Sequence, residues 1–283
     1  MILVNNLRKS FGRRTVLNGL GLEVEPGAVT LMVGANGAGK TTTLRAIAGL
    51  SKPDAGTITI AGHDLQRERT AALAHLAFLP QAPRFHPRLT VRQTAEFYAE
   101  LRGRLRGVDM ALDLWGLDEF SRVPTGKLSG GLRQRLALAL VSLADTPVIL
   151  MDEPGLSLDP DWRRRLQTFL KSEAARGRTV LIATHLLGEW DGRIDRCILV
   201  DQGRARCALP PEGIRDGFPI AIAASNLSRS PSTSSGPRAE PRGSRSGLHS
   251  DPLALRVSAG TELPRSPAAH AAGYILTPVP ETR

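Results

Sequence analysis

Val29-Thr30-Leu31-Met32-Val33-Gly34-Ala35-Asn36-Gly37-Ala38-Gly39-Lys40-Thr41 decides how this chain is read. Its first part is a near-continuous apolar run, the pattern of a strand covered on both faces. The stretch from Gly34 to Thr41 fits G-x-x-x-x-G-K-[ST], and Thr43-Leu44-Arg45-Ala46-Ile47-Ala48 then continues as a helix. Glycines at these positions let successive backbone N–H groups turn inward around phosphate oxygens, and the helix start adds its partial positive charge. Lys40 is expected to contact the β- and γ-phosphates of a nucleoside triphosphate, and Thr41 to offer its hydroxyl to Mg2+.

Two further apolar runs, Pro147-Val148-Ile149-Leu150-Met151 and Thr179-Val180-Leu181-Ile182-Ala183-Thr184, read as buried strands. Three such runs separated by helical segments predict an α/β fold with a mainly parallel sheet, whose functional residues stand at strand C-terminal ends. Polar residues stand at those ends. Asp152 and Glu153 close the second run: Asp152 fits a Mg2+ carboxylate, and Glu153 the group that orients or deprotonates an attacking water. His185 closes the third run, where an imidazole would reach a γ-phosphate oxygen or hold the water-polarising carboxylate. Gln81, after Phe78-Leu79-Pro80, carries a neutral amide that would reach Mg2+ or water, although an exposed loop glutamine reads the same way. Phe11, in Lys9-Ser10-Phe11-Gly12, is equally readable as an adenine-stacking ring or as core.

Leu128-Ser129-Gly130-Gly131-Leu132-Arg133-Gln134-Arg135 places a second glycine pair, flanked by a serine, at the start of an arginine-rich helix. A second phosphate-facing helix N-terminus makes sense as half of a shared site. Residues from about Gln66 to Ser121 look helical, with Thr90 capping a helix that starts at Val91; a helical subdomain is placed at about 82–145.

At 283 residues, with 41% apolar residues, the chain can form a packed core, and it lacks any apolar run of the ~18–20 residues that a membrane-spanning helix needs. Its N-terminus lacks the charged start and long apolar centre of a secretory signal, which points to the cytoplasm. The formal net charge of +10 comes mostly from arginine scattered among acids, without interleaved aromatics, so no nucleic acid is expected as a partner. Cys197 and Cys207 are too few for a disulfide framework, and Cys197 reads as buried filler. The α/β domain is expected over residues 1–218. The Ser/Pro/Arg-rich tail over 219–283 cannot bury enough apolar surface to offset ordering entropy and is expected to be mostly disordered, or to be a shifted reading frame.

These motifs in this order resemble the ATP-binding subunits of ABC transporters, over roughly residues 1–215. Walker A is similar to Gly34–Thr42, the Q-loop glutamine to Gln81, the signature to Leu128–Leu132, Walker B to Val148–Asp152, the catalytic glutamate to Glu153, the D-loop to Ser157-Leu158-Asp159 and the switch histidine to His185. The resemblance implies a P-loop NTPase core with an N-terminal antiparallel β subdomain and an inserted α-helical subdomain. It implies that Gly34, Asn36, Gly37, Ala38, Gly39, Lys40, Thr41 and Thr42 bind ATP, with Phe11 near the base, and that Thr41, Gln81 and Asp152 hold Mg2+. It further implies a head-to-tail pair, as a homodimer or with another ATPase subunit, in which Ser129, Gly130, Gly131 and Asp159 serve the nucleotide of the other copy. Integral-membrane permease subunits and a place on the inner face of the cell membrane follow from the same resemblance. Leu132, where glutamine is frequent, is similar to exporter-like members of the ABC-2 type, and Gly155 and Ser157 are less usual in the loop after the catalytic glutamate. An importer ATPase shares every motif. A non-transport relative acting on DNA needs a long coiled coil between Walker A and the signature, and Thr42 to Lys127 is too short for one. One acting on ribosomes normally carries two cassettes, and the chain has a single phosphate loop.

Overall fold

The structure, a computed structural model, describes residues 1–103, 105–185, 190 and 193–209. The expected tail over 219–283 lies outside the described residues. In chain order the elements are β1 (Ile2–Phe11), β2 (Arg14–Val24), β3 (Val29–Val33), α1 (Lys40–Ile47), β4 (Ala55–Ile60), β5 (His63–Asp64), α2 (Arg69–Ala74), β6 (Leu76–Leu79), α3 (Val91–Leu101), α4 (Val108–Leu114), α5 (Gly130–Ala144), β7 (Val148–Asp152), α6 (Pro160–Ala175), β8 (Thr179–Thr184), β9 (Arg196–Asp201) and β10 (Arg204–Leu209).

The strands form two sheets. One is antiparallel, in the order β2-β1-β4-β5; the other runs β10-β9-β3-β8-β7-β6, with β9, β3, β8, β7 and β6 parallel and β10 antiparallel at its edge. Alternation within each central strand explains why the runs are apolar throughout. In β3, Leu31 and Val33 face one cluster of buried side chains, which includes Leu138 of α5 and Leu166 and Leu170 of α6. Met32 faces the other cluster, with Leu44 and Ile47 of α1 and Leu17 and Leu20 of the antiparallel sheet. Cys197 is buried in β9, as filler of the first cluster.

The helices between β6 and β7 start where their caps stand. Thr90 accepts from the Gln93 backbone N–H at 3.1 Å while the Gln93 side chain accepts from Thr90 N–H at 3.0 Å, a capping box that satisfies two otherwise orphaned donors. Ser129 caps α5 through Leu132 N–H at 3.2 Å, and Asp159 caps α6 through Asp161 and Trp162 at 3.1 and 3.0 Å.

One expectation is corrected. The stretch read as helical from Gln66 to Ser121 contains a strand, β6, paired in parallel with β7 from Leu76↔Val148 to Leu79↔Met151. Leu76-Ala77-Phe78-Leu79 is buried at every position, and so short an apolar run has no period to separate strand from helix. The consequence is functional: β6 ends beside β7, so Pro80 and Gln81 emerge next to Asp152.

Candidate active site

The loop from β3 to α1 is shaped by glycines at two demanding points. A Cβ on Gly34 would meet the Val200 carbonyl oxygen at 2.2 Å, a distance no side chain tolerates. Gly39 has φ of 111°, where L-residues are strained, and a Cβ there would meet Leu17 Cδ2 at 2.8 Å. Gly39 is also the residue before α1, and no side chain caps this helix. Its first N–H groups are left for an anion, as the phosphate-loop pattern requires.

Lys40 lies folded against its own loop, donating from Nζ to the carbonyls of Gly34 at 2.7 Å and Ala35 at 3.2 Å. Burial pushes its ammonium below the usual lysine range, and the carboxylates of Glu153 and Asp152 pull it back up. Next in the chain, Thr41 donates its hydroxyl to Asp152 Oδ1 at 3.3 Å across from β7. Asp152 is 2% exposed, and burial raises its carboxyl above the usual range while Thr41 and Lys40 lower it. A buried carboxylate and a hydroxyl side by side form a hard oxygen donor pair, the set that suits Mg2+ completed by waters and phosphate. Gln81 borders the same space: with Thr41, Asp152, Arg45 and Arg84 it lines a cavity of about 340 Å³.

Glu153 is 8% exposed and has φ of 48°, a left-handed conformation unusual outside glycine. Its N–H donates to Ala183 O of β8 at 2.9 Å. Both carboxylate oxygens are engaged, Oε2 by the Thr184 hydroxyl at 3.1 Å and Oε1 by His185 Nδ1 at 2.7 Å. Because β3, β8 and β7 are parallel neighbours, their C-terminal ends meet, and Lys40 and Thr41 are brought to Asp152, Glu153 and His185, which lie more than a hundred residues further along the chain. Thr184, which the sequence marks only as a strand end, adds an anchor for the carboxylate, and a hydroxyl one residue before His185 is the signal for it.

The other candidates lie apart from that centre. Phe11 is 54% exposed at the end of β1, which removes the reading that it is core, and Lys9 Nζ stands 5.4 Å from its ring centroid. Its directly paired neighbour is Arg14, whose Nη2 lies 3.4 Å from where a Cβ on Gly37 would sit. Arg14 is a contact of the phosphate loop that sequence reasoning missed, since it depends on the hairpin returning over that loop. Arg14→Gln is expected to weaken ATP binding about 3-fold at low salt, as an exposed charge pair does, with the effect fading at high salt. Titration calorimetry with ATP and adenosine at two salt concentrations checks this, and equal losses for both ligands would refute a phosphate contact.

Ser129, Gly130 and Gly131 form a second cluster at the start of α5, with Ser129 and Gly130 exposed. They stand over the loop after Glu153: a Cβ on Gly131 would meet Ser157 O at 3.1 Å. Asn36 and Gly37 are exposed on the outer side of the phosphate loop, Ala38 is buried, and Thr42 follows Thr41 in α1. Within the chain, the Asp159 carboxylate is used as the α6 cap.

Comparison with known proteins agrees with this geometry. The ABC transporter family model matches residues 17–155, and a model described as AAA domain, putative AbiEii toxin, Type IV TA system matches residues 122–189. Nod factor export ATP-binding protein I of Paraburkholderia xenovorans (strain LB400) is 35% identical over 232 residues, which cover 79% of this chain and 72% of that protein. Daunorubicin resistance ATP-binding protein DrrA3 of Streptomyces coeruleorubidus is 37% identical over 209 residues, covering 72% of this chain and 66% of that protein. Among solved structures, an ATP-binding subunit of an ABC transporter superposes with a TM-score of 0.73 at 25% identity, over 81% of this chain and all of that one. A bacterial Atm1-family ABC exporter with ATP bound gives 0.69 at 27% identity, over 82% of this chain and 42% of that one. A phosphate loop, a Thr41 hydroxyl bonded to the buried Asp152 and a carboxylate held by a strand-end histidine, on a chain this similar to transporter ATP-binding proteins, identify it as a member of the ABC transporter family and an ATP-hydrolysing, ATP-binding subunit.

Proposed function

We propose that this chain powers export through separate integral-membrane subunits, working as one of two copies that close head-to-tail over ATP at the inner face of the membrane. The observation that carries the catalytic part is the Glu153 carboxylate, held on both oxygens by Thr184 and His185 at the tip of the sheet. The similarity to relatives named for Nod factor export and daunorubicin resistance supports export.

The residues divide the work. N–H groups of the phosphate loop and Lys40 Nζ bind the β- and γ-phosphates, with Lys40 exchanging its loop carbonyls for phosphate oxygens. Thr41 and Asp152 would hold Mg2+, with Gln81 beside them; when bound, the ion neutralises charge on the phosphate oxygens. Glu153 orients a water in line with the γ-phosphorus and takes its proton as the new O–P bond forms. The bond from the γ-phosphorus to the bridging oxygen breaks, and the electron pair leaves with ADP. His185 fixes the carboxylate rotamer and bridges it to the γ-phosphate. The exposed Ser129 and Gly130, with Gly131, close over the nucleotide of the other copy, which places Asp159 beside the shared interface.

Two measurements test the reading. ATP turnover per copy should rise with protein concentration in the purified chain, because neither copy holds a complete site. Affinity purification from native membranes should recover an integral-membrane subunit whose presence raises turnover. First-order ATPase activity in protein, with no membrane subunit recovered, would sink the proposal.

A further inference from the structure

The loop after Glu153 touches α5 at two places. Gly131 approaches so closely that a Cβ would lie 3.1 Å from Ser157 O. Farther along α5, Gln134 turns its amide inward and donates from Nε2 to Pro154 O at 2.9 Å. Gln134 is 2% exposed, so neither group has water as an alternative partner, and losing the donor would leave a buried carbonyl orphaned. Pro154 is the residue directly after Glu153, whose backbone is held at φ of 48°. A non-glycine residue stays in that region only when its surroundings enforce it. Two anchors do so here: Ala183 O takes the N–H of Glu153, and Gln134 takes the carbonyl of Pro154.

We propose that Gln134 is a positioning residue that holds Glu153 in its left-handed backbone conformation and links it rigidly to Ser129, Gly130 and Gly131 at the head of the same helix. Ser129 caps α5 and Gln134 follows within the next turn and a half, about 7 Å along the axis, so the two move as one piece. The first turn of α5 serves one nucleotide and Glu153 the other; a shift of α5 on closing over the partner's ATP is delivered to the carbonyl beside this chain's own water-activating group. Each copy thereby senses occupancy of both sites. The linkage rests on the proposed two-copy site; the positioning of Glu153 rests on the contacts alone.

The test uses Gln134→Met and Gln134→Leu, which keep the volume and remove the donor, in the full chain and again on a Glu153→Gln background. Expected is a kcat about 10-fold lower, equivalent to about 1.4 kcal/mol of barrier. KM and ATP affinity should stay within about 2-fold, and the Hill coefficient for ATP should fall toward one. On the Glu153→Gln background the same substitutions should cost nothing further, because a residue acting through Glu153 has nothing left to act on. A change that only loosens the fold would lower residual turnover on both backgrounds and lower the melting temperature in parallel. Wild-type kcat in a folded variant, or equal losses on both backgrounds, overturns the positioning role. Turnover that is first-order in protein for the unaltered chain overturns the two-copy reading and with it the linkage. An unchanged Hill coefficient in a Gln134 variant whose kcat has fallen overturns the linkage alone.

Discussion

Glu153→Gln should lower steady-state ATP turnover by about 10³-fold, within the range for removing a general base, while ATP binds as before. The substitution is nearly isosteric and keeps what the site's packing asks of this side chain. Thr184 Oγ1, 3.1 Å away, donates as well to an amide oxygen as to a carboxylate. His185 Nδ1, at 2.7 Å from the other oxygen, meets the amide N–H2 as an acceptor, which the other imidazole tautomer supplies. What disappears is the negative charge and the basic lone pair proposed to orient and deprotonate water. Lys40, Thr41 and the phosphate-loop N–H groups are untouched, so affinity is preserved, and the loss should fall on kcat with KM unchanged. In the proposed two-copy cycle hydrolysis opens the closed pair, so ATP should accumulate that pair in the variant. Phosphate release, ATP titration and light scattering with and without ATP measure the three quantities on one preparation. A variant that turns over normally would refute the role of Glu153.

The strand runs, the phosphate loop and the polar strand ends were legible in the sequence because each is local: a buried strand shows as a few consecutive apolar residues, and the next residue is its tip. Lys40, Asp152, Glu153 and His185 are all read this way. Leu76–Leu79 was not, since four apolar residues carry no period, and only pairing with β7 makes them a strand. Phe11 was ambiguous for a related reason: whether an isolated ring is buried depends on the tertiary surroundings, and the β1–β2 hairpin leaves it exposed. Arg14 against Gly37 and Gln134 on Pro154 O join segments about twenty residues apart, and such contacts leave no pattern along the chain. The least legible parts of the site are thus Arg14 and Gln134, whose contacts join distant segments, whereas Lys40, Thr41, Asp152, Glu153 and His185 sit at motif positions.

Lys40→Ala should weaken ATP binding by about 10- to 100-fold, the equivalent of about 1.5–3 kcal/mol for a charge-assisted hydrogen bond. The structure argues for the upper part of that range. Lys40 Nζ is already within 2.7 Å of Gly34 O and 3.2 Å of Ala35 O, so little rotamer entropy remains to be lost when phosphate replaces those carbonyls. The ammonium also stands among carboxylates: Asp152 and Glu153 both act on its protonation, and without it they face the γ-phosphate with one fewer counter-charge. The loss should therefore be steep for ATP, smaller for ADP and absent for adenosine, because the contacts proposed for Lys40 are with the β- and γ-phosphates. Lys40→Arg should rescue little, since a planar guanidinium cannot occupy a 7% exposed position shaped for a compact ammonium. Calorimetric titration of the three ligands separates this from a folding defect: a general loss that includes adenosine would mean the loop had collapsed. Unchanged ATP affinity would refute the phosphate-loop reading on which the rest of the site depends. Glu153→Gln binds and does not turn over, whereas Lys40→Ala fails to bind, so the two variants separate the chemical step from the binding that precedes it.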